Sequence, residues 1–140
     1  MNKIKARDII VGSESERFML PYIRNVLTDA TIELSSQSYS AFDYYNLDRS
    51  KCIELKTRNC NISTYPTTMI PLSKIQWCVK DPNKQYWFFF RFNDGIKYIR
   101  YEKDLFDTFE KKKGGRADRG CVETNDYLYI PVKKCKTLDV

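Results

Sequence analysis

Lys51-Cys52-Ile53-Glu54-Leu55-Lys56-Thr57 is the stretch on which the reading of this chain turns. A strand repeats every two residues, so Cys52, Glu54 and Lys56 share one face, with Ile53, Leu55 and Thr57 on the other. Ser40 to Tyr45 precedes it across a polar turn, Asn46 to Ser50, and the two runs read as a hairpin. A turn centred on Asp48 and Arg49 sets residue 43 opposite residue 54, so the carboxylates of Asp43 and Glu54 face each other. Cross-strand neighbours have Cβ atoms about 4.5–5.5 Å apart, and like charges there are destabilising.

A divalent cation between the two acids removes that conflict. Mg²⁺ takes one or two carboxylates, keeps several waters and leaves positions for phosphate oxygens. Lys56 lies about 7 Å along the same face from Glu54, two strand residues on. There its ammonium can hold an attacking water or neutralise charge building on phosphorus. A Lewis acid, an activated water and a cation are what phosphodiester hydrolysis requires. The bland alternative is a solvated strand face carrying a cross-strand ion pair. The aligned Asp43, a preceding helix with an inward acid, and the basic charge favour the metal reading.

Composition narrows the chemistry further. The 140 residues carry 24 basic and 18 acidic side chains, a net charge of +6, which suits a polyanionic partner without proving one. There is no histidine, which excludes Ser-His and Cys-His hydrolases and histidine-based zinc sites. Hydrolysis must then run on carboxylates, lysine and a hard metal ion. Cys52, Cys60, Cys78, Cys121 and Cys135 contain no C-x-x-C pair and read as reduced, small apolar residues. A hydrophobic share of 42% with 14% aromatics indicates a folded chain, expected as a single domain over residues 1–140. No stretch approaches the ~18 apolar residues of a membrane span, and the start is too polar for a secretory signal. A cytosolic or nuclear protein is expected, neither secreted nor in a membrane.

Working outward, Ser13 and Glu16 form a candidate capping box. Phe18, Met19, Tyr22, Ile23, Val26 and Leu27 then recur at helical spacing, with Pro21 marking a kink or a late start. Glu16 borders the face that packs on the sheet, so it is a candidate outer ligand holding a metal-bound water as well as a capping residue. Glu14 is the weaker substitute. Thr31 to Leu34 reads as a short strand and Asn59 to Thr68 as a loop. Leu72 to Lys80 reads as a helix capped near Ser73, and Asp81-Pro82 stops it. Tyr86 to Phe92 and Ile96 to Tyr101 form a buried hairpin about Asn93-Asp94-Gly95. A helix over Asp104 to Lys113, a basic loop, and a last strand from Tyr127 to Val132 complete the order. This describes an α+β, mixed α/β fold with a mostly antiparallel mixed sheet flanked by helices.

Gly12-x-x-x-Glu16-Arg17 on a helix, Asp43 on a strand, Ile53-Glu54-Leu55-Lys56 on the next, then a helix: this order resembles the PD-(D/E)XK nuclease superfamily over residues 10 to 100. In particular it resembles the small stand-alone members among archaeal-type Holliday-junction resolvases, phage and large-DNA-virus nucleases. Phe42 stands where the name-giving motif has proline. The resemblance implies a restriction-endonuclease-like core. It implies that Asp43, Glu54 and the Leu55 carbonyl ligate Mg²⁺ or Mn²⁺, that Lys56 orients the water, and that Glu16 is an auxiliary acid acting through a water. It also implies a basic or amide residue facing the metal, for which Lys74 is the candidate.

The expected activity is divalent-metal-dependent cutting of DNA by an endonuclease with structure-selective or weak sequence preference, since no separate recognition domain fits. A symmetric dimer would let two sites cut two strands. The competing readings are a non-catalytic nucleic-acid-binding protein on the same fold and an RNA-processing nuclease. Arg58 can grip a flanking phosphate and Tyr65 can touch a base or sugar, set against an ordinary solvated loop. Lys111, Lys112, Lys113, Arg116 and Arg119, among glycines, read as a sequence-independent backbone clamp. Trp77, Trp87, Phe88, Phe89, Phe90 and Phe92 read as core.

Overall fold

The computed structural model describes residues 3–36, 40–113 and 126–139. Helix α1, Lys3–Leu27, comes first. Strands β1 (Glu33–Leu34), β2 (Tyr44–Tyr45) and β3 (Lys51–Thr57) follow, then β4 (Thr67–Pro71) and helix α2 (Leu72–Lys80). Next come β5 (Gln85–Phe92), β6 (Gly95–Arg100) and a single-turn helix, α3 (Lys103–Phe106). Strands β7 (Glu110–Lys113), β8 (Asp126–Pro131) and β9 (Lys136–Leu138) end the described chain. No helix among the described residues is long and apolar enough to cross a membrane.

The strands form a six-stranded sheet, β1-β2-β3-β5-β6-β9, and a three-stranded one, β4-β8-β7. In the larger sheet β3 and β5 run parallel and the other pairs are antiparallel. A parallel pair needs a crossover, and β4 with α2 supplies it. The fold is therefore α+β with a mixed, mostly antiparallel sheet, as expected.

The alternation read from β3 sorts the core into two layers. Ile53 and Leu55 pack with Met19, Ile23 and Leu27 of α1 and with Tyr44 and Phe89. Cys52 on the opposite face joins Phe88, Phe90, Cys78 of α2, Phe106, and Ile70, Leu128 and Ile130 of the small sheet. The β5–β6 hairpin closes through Asn93-Asp94, with Phe92 opposite Gly95. A Cβ on Gly95 would stand 2.9 Å from Ile62 Cδ1, so the 59–64 loop docks on a turn that leaves no room there. Asp94 Oδ1 fixes that loop by accepting the Ile62 N–H at 2.8 Å.

Several expectations need correction. Helix α1 already runs at Lys3, so Ser13 lies inside it rather than at its N-cap, and the periodic run after Gly12 falls in its second half. The helix continues through Pro21, whose position is exposed, so water can serve the Arg17 carbonyl left without a partner. Helix α2 matches its expected bounds, but Pro71 rather than Ser73 stands at its N-cap and no side chain caps it.

The helix expected over 104–113 lasts only through Phe106. Phe106 and Phe109 are buried as anticipated, but Glu110–Lys113 pairs with β8. Three successive lysines alternate sides in a strand, and ladder bonds outweigh the small helix preference of the segment. The expected loop over 59–68 gives way to β4 at Thr67, which pairs with the other side of β8. The first arm of the β2–β3 hairpin is only two residues long, and β9 was not foreseen. Phe88, Phe89, Phe90 and Phe92 are core; Trp87 is half-buried, and Trp77 is 48% exposed. The described cysteines, Cys52, Cys60, Cys78 and Cys135, are free thiols, and Cys121 lies outside the described residues.

Candidate active site

The hairpin register is the one read from the turn: Tyr44 pairs with Ile53 and Tyr45 with Cys52. Side chains in the turn hold it there. Asn46 Oδ1 accepts the Lys51 N–H at 2.9 Å, while its amide donates to Ser50 Oγ (3.0 Å) and Asp29 Oδ2 (3.1 Å). Asp48 Oδ1 accepts the Ser50 N–H at 3.0 Å, and Lys51 Nζ lies 2.9 Å from Asp29 Oδ2. The Thr31 hydroxyl and then Lys51 hold the Asp29 carboxyl far below the usual carboxylate range.

This register carries Asp43 across from Glu54. The Asp43 N–H donates to the Ile53 carbonyl at 3.0 Å, and Asp43 Oδ2 accepts the Leu55 N–H at 2.8 Å. The side chain thus takes a ladder hydrogen that the short β2 no longer reaches. That bond fixes the carboxylate at the edge of β3.

Glu54 is 5% exposed in the middle of the sheet. Lys56 Nζ lies 3.4 Å from its Oε1 and Lys74 Nζ lies 3.4 Å from its Oε2. Lys74 arrives from α2, donates to the Ala41 carbonyl, and sits 5.4 Å from the centre of the Phe42 ring. Two ammonium groups from different elements therefore converge on one buried carboxylate.

Burial, and then Asp43, push the Glu54 carboxyl up to about 7 against the pull of both lysines. Burial also raises Asp43, opposed by the Leu55 N–H, Lys56 and Lys74. Glu16 is raised by burial and by Asp43. It approaches from the α1 layer, where the Tyr44 hydroxyl donates to its carbonyl at 2.5 Å. Asp43 is thus the acid that raises both of the others, while Glu16 is not among the groups that perturb Glu54. Among the described residues no three acids or cysteines lie close enough to hold a metal by side chains alone. The donors available are two carboxylates and the backbone carbonyl of Leu55. All are hard oxygens, the set that Mg²⁺ or Mn²⁺ prefers and completes with water.

The remaining candidates fall in two places. Arg58 and Tyr65 line one cavity of about 610 Å³ between residues 57–69 and Tyr129. Tyr65 is 63% exposed. The Arg58 guanidinium donates to Thr68 Oγ1 (3.3 Å) and to the Met69 carbonyl, tying the end of β3 to β4. Lys111, Lys112 and Lys113 lie on β7, not in a loop, and Lys112 pairs with Glu110 at 3.2 Å. Arg116 and Arg119 lie outside the described residues.

Sequence reasoning overlooked a polar set on the α1 side. Buried Ser15 shares its Oγ with Thr57 Oγ1 (2.8 Å) and with Arg91 Nη1 (3.2 Å), pinning α1 across β3 and β5 beside the site. The signal was Arg91 at the end of an otherwise aromatic strand.

No curated protein matches the chain. A protein-family model described as "Phage putative PDDEXK endonuclease" matches residues 15–138. That match spans α1 to β9 and contains Glu16, Asp43, Glu54, Lys56 and Lys74, so the chain belongs to this PDDEXK endonuclease family.

Proposed function

We propose that this protein is a divalent-metal-dependent endonuclease that hydrolyses phosphodiester bonds in DNA. The observation that carries this reading is the pairing of Asp43 with a buried Glu54 on which Lys56 and Lys74 both converge. Family membership supports a nuclease and hence a nucleic-acid substrate.

Asp43, Glu54 and the Leu55 carbonyl are the residues that would hold Mg²⁺ or Mn²⁺, with Glu16 reaching it through a water. Bound there, the ion would polarise a phosphoryl oxygen and lower the pKa of a water. Lys56, 3.4 Å from Glu54 Oε1, would position the attacking water and offset negative charge developing at phosphorus. Lys74, anchored on the Ala41 carbonyl, keeps the Glu54 carboxylate aimed and adds a second positive charge. Lys111 and Lys112, with Lys113, Arg116 and Arg119, contact the backbone of the nucleic acid and carry no sequence information. Cutting with structure-selective or weak sequence preference is the expected mode, since backbone contacts of this kind do not read bases.

Supercoiled plasmid, incubated with Mg²⁺ or Mn²⁺ and in parallel with EDTA, tests the reading. Cutting is expected only with metal. Lys56→Ala should slow it roughly 10²–10⁴-fold, the range for losing one positioned catalytic group. Binding of uncut DNA should survive, because phosphate contacts elsewhere supply most of the affinity. Cutting in EDTA, or full activity in Lys56→Ala, overturns the assignment. Labelled RNA run alongside decides the substrate.

A further inference from the structure

A second cavity, of about 600 Å³, borders the site through Ala41 and Phe42, the residues just before Asp43. Its walls include Tyr45, Arg49, Trp77, Lys80, Lys84 and Tyr86. Three of these are cations and three are aromatic rings. The acid in its wall, Asp81, is engaged by Lys84 at 3.8 Å.

Two of these side chains, Trp77 and Arg49, stand open to solvent. Trp77, one helix position before the fully buried Cys78, leaves 48% of its area in water. Arg49 takes its φ of 61° where its N–H closes the hairpin turn on the Asn46 carbonyl at 3.1 Å. Its guanidinium lies 4.2 Å from the centre of the Tyr45 ring, in the cavity wall.

Helix α2 joins the cavity to the site. Lys74, Trp77 and Lys80 follow one another at intervals of three, a single helical row with steps of about 4.5 Å along the axis. The first touches Glu54. The last lies 5.3 Å from the centre of the Trp77 ring and also lines the groove that Lys111 of β7 shares. A nucleic-acid strand passing Glu54 thus meets an aromatic face and then a run of positive charge.

We propose that this cleft takes an unpaired nucleotide next to the scissile phosphodiester, its base stacked on Trp77 and its phosphates held by Arg49, Lys80 and Lys84. A base inside a duplex already stacks on its neighbours, whereas a single-stranded base is free to lie on an indole, whatever its identity. The substrate class this selects is DNA with a single-stranded or branched segment beside the cut. The inference rests on the nuclease reading for the path of the strand. Its test is a binding measurement that needs no cutting.

The chain has two tryptophans, and Trp87 packs against Tyr98 in the other layer, so Trp87→Phe leaves Trp77 as the emitter. In EDTA, a single-stranded oligodeoxynucleotide should quench that emission saturably, and a blunt duplex of the same sequence far less. In the tryptophan-complete protein, Trp77→Ala should weaken single-strand binding, followed by anisotropy, roughly tenfold, within the range for losing one stacked base. Trp77→Phe should retain most of the affinity, and duplex binding should hardly change in either variant. Equal weakening for single strand and duplex, or wild-type single-strand binding by Trp77→Ala, overturns the proposal. A protein that fails the plasmid assay but shows the Trp77 pattern leaves the cleft assignment standing. One that cuts plasmid with no Trp77 pattern removes the cleft assignment alone.

Discussion

Strands β3 and β5 lie side by side, parallel and in register, with Glu54 beside Phe88 and Lys56 beside Phe90. Strand β5 fills Tyr86 to Phe90 with five successive aromatic residues, and the core accepts rings on both of its faces. Strand β3 matches this on the α1 side with Ile53 and Leu55. On the other side it breaks the apolar layer with Glu54 and Lys56. Glu54 is nearly as buried as Phe88, and burial holds its carboxyl at about 7. The packing that surrounds β5 shows that an apolar residue would be accommodated one strand away. What the difference teaches is that the charge in β3 is maintained against the preference of its surroundings, which is how sites that hold metal or move protons are built.

The sharpest way to break this comparison is to make β3 resemble β5. Glu54→Leu should abolish metal-dependent plasmid cutting, by at least about 10³-fold. It should change metal-free stability less than an apolar truncation does, because relief of the buried carboxylate's desolvation is set against the lost counter-charge of Lys56 and Lys74, which keep part of their surface in water. Phe88→Ala, at the neighbouring position, should instead cost about 3–5 kcal/mol in denaturant unfolding. Those molecules that remain folded should still cut. Equal loss of stability in the two variants would make Glu54 a structural residue and erase the contrast.

A smaller effect sharpens the comparison through pH. The Glu54 carboxyl titrates near 4.5 when unfolded and at about 7 when folded, so between those values the folded chain holds a proton that the unfolded chain has lost. Relative to Glu54→Gln, the wild type is therefore at its best below about pH 4.5 and loses stability as pH rises through about 7. The span corresponds to about 3 kcal/mol. Urea unfolding of both proteins in EDTA across this range measures the difference directly. A flat difference would mean that Glu54 titrates as though it stood in water.

The parts of this molecule legible in the sequence are those fixed by neighbours along the chain. The period of two in residues 51–57 and the polar turn before it place Asp43 opposite Glu54 with no knowledge of the rest. Asn93-Asp94-Gly95 likewise announces the β5–β6 hairpin, and Asp81-Pro82 ends α2. The illegible parts depend on partners far away. Lys111 to Lys113 become a strand only because β8 lies beside them, and β4 exists because it takes the other edge of β8. Lys74 is reached only through the family resemblance, since it meets Glu54 once the crossover between β3 and β5 has been built. The outward turn of Trp77 has the same origin, since α2 spends its buried position on Cys78 against the small sheet. Its helical spacing alone gives no sign of that choice.

The least disruptive test concerns the register on which the contrast between β3 and β5 depends. Slipping β2 by one residue against β3 would exchange the two faces of β2, sending Tyr44 to the site and Asp43 into the α1 layer. Asn46 guards against this, since its side chain makes three hydrogen bonds within the turn and to Asp29. Asn46→Ala strands the Lys51 N–H and should cost about 1–3 kcal/mol. Strand β3 stays clamped to β5 along its whole length, so the loss should fall on β2 and on Asp43. Half-maximal cutting should then require more Mg²⁺ than in the wild type, while the rate at saturating metal approaches the wild-type value. A variant that loses stability yet keeps the wild-type metal requirement would show that Asp43 is positioned by its bond to the Leu55 N–H alone.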